Sequence, residues 1–392
     1  MESQPLVINN NNSKKSSQKK TLTIVIIIGA LIVIAASIFL IIHFTTQSKD
    51  EQDEVQESYQ ITTCQGLQAM RNDLNGNYVL MQDIDCSDTK NWNQNTGFLP
   101  IGTVDTLFTG SLNGSGFTIS NLFIYRPQDT RCGLFGSFNG RVESITMTNG
   151  NVTCDTFVGL LVGYADSQSR IFKITTLSGS IKGMDTSGSI VGVMFFGSTM
   201  VACRSFDAVV SSDFFAGGLV GYSQGSLFDC SSTNSFISSS QFSGGLAGLC
   251  SNVSRCYSSS NVQSIFEAGG LCGVAQLSTT ENSYFFGQVS GGRSVGGLFG
   301  ILNLGNVINS YSSGLVVSEN PPSGGLFGDA MGNFFSNYWD VQTSGQTGAE
   351  VGGIGLNTTQ MKMKNSFQGW DFVNVWDIVE TIDYPRLRQF HY

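Results

Sequence analysis

A five-residue string recurs eight times along this chain at intervals of 25 to 29 residues: CGLFG closing at Gly136, GLLVG at Gly163, GSIVG at Gly192, GGLVG at Gly221, GGLAG at Gly248, GGLCG at Gly273, and GGLFG at Gly300 and again at Gly328. So steady a period marks one short unit repeated and stacked, because a unit of this length cannot bury an apolar face by itself. Two positions before each closing glycine stands an aliphatic residue: Leu134, Leu161, Ile190, Leu219, Leu246, Leu271, Leu298 and Leu326. Stacked at the ~4.8 Å spacing of parallel strands, these side chains form one ladder in which each internal rung meets a like rung above and below. Burying each contributes roughly 1.5 to 3 kcal/mol, so the ladder acts collectively. The flanking glycines are expected to take backbone angles that other residues avoid, and so to form tight corners.

A second element follows each anchor by 8 to 11 residues, at Cys203, Cys230, Cys256, Tyr284, Tyr311 and Tyr338. Runs such as VINSYSSGLVV alternate small polar with apolar residues at period two, with β-branched and aromatic residues throughout. Helical solenoids are therefore disfavoured. The pattern predicts an all-β parallel β-helix (solenoid) of eight coils over residues 103–330, two or three strands per coil and roughly 40 Å long.

Open edge strands pair with other chains, so a solenoid needs closed ends. Residues 61–102 read as an N-terminal cap: Thr63 as N-cap, Leu67, Met70 and Leu74 on one helical face, a stop at Asn75-Gly76, then YVLMQDI as a strand. Cys64 at the helix start and Cys86 after the strand are placed to bridge. Residues 331–392 hold every tryptophan except Trp92 and read as a C-terminal cap that plugs the last coil, in preference to a sugar-binding platform.

From Leu22 to Ile42 the chain runs LTIVIIIGALIVIAASIFLII, long enough as a helix to span ~30 Å of hydrocarbon. A polar leader, residues 1–20, precedes this anchor of residues 21–44, which favours an uncleaved signal anchor over a cleaved signal peptide. Lys14, Lys15, Lys19 and Lys20 lie before the span, whereas Asp50, Glu51, Asp53, Glu54 and Glu57 follow it in an acidic stalk, residues 45–60. Lysine excess marks the cytoplasmic side, so the expected topology is single-pass type II, with one helix in the bilayer and the C-terminal body outside. All nine cysteines follow the span, as export to an oxidising compartment permits. N-x-S/T acceptors for glycosylation stand at Asn113, Asn151, Asn252 and Asn357.

The formal charge is -9, which offers no cationic footprint for nucleic acid. Only His43 and His391 could supply imidazole, and they lie near opposite ends, which disfavours Ser/His/Asp hydrolysis, Cys/His proteolysis and His-ligated zinc. Between Val104 and Ala330 the 13 acidic and 9 basic residues are scattered, with Asp207 and Asp213 the nearest pair in the middle of the array. Asp83, Asp85 and Asp88 are the densest carboxylates, but they lack the glycine and distal glutamate of a calcium loop, and alternation around Ile84 puts Asp83 and Asp85 on a solvent face. Cys203, Cys230 and Cys256 either stack within disulfide reach or stay as buried free thiols. No catalytic, metal or cofactor site is expected.

The GGLxG strings, the segments LNGSGFTISNLFIY and LNGNYVLMQDIDC with GFLPIG, and the tail NYWDVQTSGQ…GGIGL…QMK…GWDF…VW.I….YPRL resemble proteins carrying the GLUG motif, found in large adhesin-like surface proteins. The likeness covers residues 61–390. It implies a right-handed β-helix displayed at a surface, with no shared catalytic residues. The expected function is therefore a membrane-anchored extracellular module for adhesion or surface structure, non-catalytic, whose partner is a surface glycan or a protein. A membrane-tethered polysaccharide lyase or hydrolase and a viral envelope- or capsid-associated protein are the alternatives.

Overall fold

Eight short strands, each leading into one of the glycine strings, lie side by side in a single parallel sheet that runs from Arg131–Cys132 to Ser323–Gly324. The first glycine of one string pairs with that of the next, Gly159 with Gly188, Gly188 with Gly217, Gly217 with Gly244, then on through Gly269, Gly296 and Gly324. The remaining strands of the solenoid stack in the same sense, so the chain is an all-β parallel solenoid of about eight turns with few helices. The computed structural model describes residues 58–348 and 351–390. Among them no helix is long and apolar enough to cross a membrane, and the expected anchor, residues 21–44, lies outside them.

All eight ladder residues are fully buried. Their backbones carry the stack as well: the amide of Leu161 donates to the carbonyl of Ile190 at 3.0 Å, Ile190 to Leu219 at 3.0 Å, Leu219 to Leu246 at 2.9 Å, Leu246 to Leu271 at 2.7 Å, Leu271 to Leu298 at 2.9 Å and Leu298 to Leu326 at 2.8 Å. Each coil therefore satisfies its polar backbone on its neighbours while its aliphatic rung is buried between theirs.

The glycines act differently from expectation. None of those in the eight strings lies in the left-handed region. They are needed for close approach: a Cβ at Gly248 would sit 2.7 Å from the Gly221 carbonyl oxygen, and one at Gly244 would fall against the Ala247 carbonyl. The left-handed corners are instead made by Ser144, Lys173, Ala202, Asp229, Arg255, Asn282, Asn309 and Ser336, at φ of 48° to 56°. This second column breaks a coil into more pieces than the two or three strands expected. The coil that opens with Phe215–Gly217, for example, continues through Val220–Ser223, Ser226–Phe228 and Ser231–Ser239.

The residue after each corner points inward and is buried: Ile145, Ile174, Cys203, Cys230, Cys256, Ser283, Ser310 and Asn337. Here side chains receive the backbone of the preceding coil. The Cys203 amide donates to Cys230 Sγ (3.4 Å), Cys230 to Cys256 Sγ (3.3 Å), Cys256 to Ser283 Oγ (3.2 Å), Ser283 to Ser310 Oγ (3.1 Å) and Ser310 to Asn337 Oδ1 (3.0 Å). The three cysteines are thus stacked free thiols, and burial pushes those of Cys230 and Cys256 well above the usual thiol range.

The ends also depart from simple caps. Tyr59–Ile61, at the edge of the expected stalk, pairs in parallel with Asn77–Leu80, which pairs with Ser111–Asn113 and so joins the stack. The N-terminal segment is therefore itself coil, crossed by a short helix, Cys64–Ala69, whose Thr63 hydroxyl accepts from the Gly66 amide. That helix gives way to a 3-10 turn at Met70–Asn72, and the strand expected over YVLMQDI is split into Asn77–Leu80 and Ile84–Asp85. Cys64 and Cys86 form a disulfide. Two further bridges, Cys132–Cys154 and Cys250–Cys272, span the same 22 residues.

Leu246→Ala is expected to lower the unfolding free energy by about 2 to 5 kcal/mol through lost burial and the cavity left behind. Leu246→Asp, which buries an unpaired charge, should cost more. Replacing both Cys132 and Cys154 by serine should cost about 2 to 4 kcal/mol. Urea denaturation followed by tryptophan fluorescence measures all three.

Candidate functional site

Side chains alternate along a strand, so the residue after each buried corner position points outward. Over the last four coils that residue is Tyr257, Tyr284, Tyr311 and Tyr338, which pair in register across the strands. The first three rings stack 5.0 and 5.1 Å apart, tilted by 10° and 2°. A column of phenols thus runs along one flank of the solenoid.

The aromatic tail, expected to plug the last coil, lies on this flank instead. The end of the last coil is met by Ile354–Leu356, which pairs with Tyr338–Asp340, and by the short helix Val341–Ser344. Beyond these the chain turns back along the outside as a strap. Its Trp370 Nε1 donates to the Ser336 carbonyl at 2.9 Å, Trp376 Nε1 to Asn282 Oδ1 at 3.3 Å, and Gln389 Nε2 to Asp229 Oδ1 at 3.1 Å and the Arg255 carbonyl at 3.2 Å. Those anchors descend the stack from its last coil to a coil more than 100 residues earlier. Met361, Phe367, Trp370, Phe372, Trp376 and Leu387 bury against Tyr284, Tyr311 and Tyr338 as a second apolar core outside the first. The physical reason is that a flank of stacked phenols offers a long strip of apolar surface, whereas the end of a coil offers one layer.

Asp340 fixes where the strap begins. Fully buried, it caps the short helix by accepting from the Gln342 and Thr343 amides through Oδ1, and it accepts from the Tyr384 hydroxyl through Oδ2 at 2.7 Å. Burial, and then this carboxylate, push the Tyr384 phenol up to about 12. Strap and ladder enclose a cleft of about 400 Å³ whose walls include Tyr257, Tyr284, Tyr311, Tyr384, Arg386 and Phe390.

The carboxylates singled out in the sequence do not converge. Asp83 and Asp85 are exposed on either side of buried Ile84, where Asp83 accepts from the Thr118 amide and Asp85 from the Ser87 amide and Asn121. Asp88 is exposed in the 3-10 turn that follows. Asp207 is exposed and accepts from Asn234; Asp213 is exposed at the approach to the next short strand. Asn113, Asn151, Asn252 and Asn357 are exposed. Among the described residues no group of three or more His, Cys, Asp or Glu side chains is placed to hold a metal ion.

The structure pairs two carboxylates that sequence reasoning passed over, Asp155 and Asp185. The Asp185 amide faces the Asp155 carbonyl one coil away, and burial, then the Asp155 charge, hold the Asp185 carboxyl above its ordinary value. The usable signal was a separation one residue longer than the 29-residue step between these two coils. The tyrosine column was likewise visible as SY, SY and NY at the repeat period, but nothing local said that the tail would cover it.

No protein-family model matches the chain. A stretch of 142 residues, 34% of the chain, is 37% identical to "Halomucin" of Haloquadratum walsbyi, of which it covers 2%. A stretch of 112 residues, 27% of the chain, is 35% identical to the "Putative Gly-rich membrane protein" of Evansella cellulosilytica, of which it covers 13%. The chain thus spans a small part of these relatives. Among solved structures, a putative immunoglobulin A1 protease from Bacteroides ovatus superimposes with a TM-score of 0.51 over 86% of this chain and 93% of that one, at 19% identity. At that identity the likeness is one of fold.

The strap should be alkali-sensitive. Tyr384 titrates at about 12 in the fold and near 10 when free, so between those values the unfolded chain releases a proton that the native one keeps. Its contribution is complete below pH 10 and lost as the pH rises to 12. The urea midpoint should fall across that window, and Tyr384→Phe should reduce the fall without abolishing it, because burial also raises the phenols of Tyr78, Tyr164, Tyr284 and Tyr311.

Proposed function

We propose that this protein is a surface-displayed, non-catalytic β-solenoid module with an adhesive or structural role. In this reading it is a right-handed helix of the GLUG-motif type, tethered by residues 21–44 in type II topology. The observation that carries it is the stack itself. Each coil is fastened to the next by backbone bonds and a buried rung, which makes the body a stiff spacer whose flanks face outward in every coil. The acceptor asparagines, all exposed, suit such a displayed surface. The names of the two partial relatives, a halomucin and a Gly-rich membrane protein, support display at a surface.

Ionisable groups that the fold buries serve structure. Glu267 is paired with Arg293 at 2.9 Å, and Asp340 is the helix cap. The Asp155–Asp185 pair favours a second reading, a carbohydrate-active solenoid in which the raised carboxyl is an acid and its neighbour a base.

A tag after Tyr392 should be accessible on intact cells and one before Met1 should not; the reverse result rejects the tethered topology. Expression should also increase attachment of the cells to a glycan- or protein-coated surface. In a polysaccharide-degradation panel the full chain should release no product. Turnover abolished by Asp185→Asn would replace the module with the enzyme.

A further inference from the structure

The cleft between strap and ladder is a built site with unused hydrogen-bonding groups. Of the four phenols in the column, two are engaged by the strap: Tyr311 donates to the Pro385 carbonyl at 2.7 Å, and Tyr338 accepts from the Gln368 amide at 2.9 Å. Further along the column the strap stands off. There Phe390 meets Tyr257 edge-on, with ring centres 4.8 Å apart, and the cleft opens between. Among the described residues neither the Tyr257 nor the Tyr284 hydroxyl has a hydrogen-bond partner, although Tyr284 is only 4% exposed and lines the cleft. The Tyr284 ring is thus held firmly while its hydroxyl is left open beside a space that a ligand can fill.

The lining also carries a charge signature. Among the described residues it contains one cation, Arg386, and no carboxylate, in a chain whose net charge is -9. Arg386 is held at one nitrogen by Asp383, at 3.5 Å, and its side chain is 59% exposed, so most of the guanidinium fork is free. A guanidinium fork matches a carboxylate in two parallel bonds. Phenol and serine hydroxyls, from Tyr257, Tyr284 and Ser313, match a polyol, and the ring edges and faces of Phe286 and Phe390 match its C–H surface. A volume of about 400 Å³ is that of a small-molecule pocket and holds one or two sugar rings.

We infer that this cleft binds an acidic sugar, a pyranose ring carrying a carboxylate, with Arg386 on the carboxylate and the Tyr257 and Tyr284 hydroxyls on the ring oxygens. The assignment rests on the reading of the protein as a surface module and names the class of ligand that module takes. Neither the Asp155–Asp185 pair nor the outward asparagines take part.

The test uses the full chain in lipid nanodiscs, so that no glycosidic detergent competes. Methyl glucuronide and methyl glucoside are titrated by calorimetry and by tryptophan fluorescence, with Trp376 the reporter, its ring centre 5.9 Å from that of Tyr284. The glucuronide is expected to bind at least about tenfold more tightly than the glucoside, since a charge-assisted bidentate pair contributes a factor of that order. Arg386→Gln should remove this preference while leaving the weak glucoside binding in place. Arg386→Lys should restore part of it, and Tyr284→Phe should weaken both sugars severalfold. A melting temperature matching the parent shows that each variant is folded. Equal affinity for the two sugars, no saturable binding of either, or glucuronide binding untouched by Arg386→Gln overturns the proposal. Cells that display the tag and attach normally while the protein ignores glucuronide would sink this site and leave the surface module standing. A reversed tag result with intact glucuronide binding would do the opposite.

Discussion

Everything in this protein depends on one coil handing its backbone amides to the carbonyls of the next along the buried ladder. From Leu161 to Leu326 the ladder positions are joined amide to carbonyl at 2.7 to 3.0 Å without a missed step. Once that register is set, all other columns follow. The close-approach glycines, the left-handed corners, the buried thiol-and-hydroxyl row and the outward tyrosines each recur as a column from coil to coil. A slip by one residue would turn the buried row outward and the phenols inward, so the period of the sequence is a structural requirement.

Within this frame the chemistry of a column can drift while its geometry stays. The inward position after the corner changes from isoleucine at Ile145 and Ile174, through cysteine, to serine and finally Asn337. Aliphatic side chains there simply fill space. Thiols and hydroxyls also accept the neighbouring amide, and the terminal amide of Asn337 donates onward to the Val307 and Gly352 carbonyls, which closes the row without an orphaned polar group.

The ladder and the period were legible because eight aliphatic residues at one offset of a steady repeat can all be buried together only if like coils stack in register. The Cys64–Cys86 neighbourhood was legible for a local reason, a helix start and a strand end that face each other. The other two bridges were missed although they repeat the same 22-residue spacing. The corners were illegible in principle, because Lys173, Ala202 and Arg255 give no turn signal by themselves. They take left-handed angles since the coils on either side hold them there, at a cost that a single residue would not choose. The strap was half legible. Trp370, Phe372 and Trp376 announced burial, but aromaticity tells that a segment will be covered and not what it will cover. The cleft, which exists only where the tail stands off from the tyrosines, inherits that limit.

A solenoid held by nearest-neighbour contacts is mechanically a stack of springs in series, in which each coil could open almost independently of coils some distance away. The returning tail changes this by lying in parallel with the series. Gln389 reaches Asp229 while Trp370 holds Ser336, so one continuous segment is fastened at both ends of a five-coil block. Separating any two coils inside that block then requires shearing the tail off its aromatic track as well. For a rod that transmits force along its axis, the C-terminal half behaves as a single stiff element, and yielding under load is directed to the unstrapped coils that precede it.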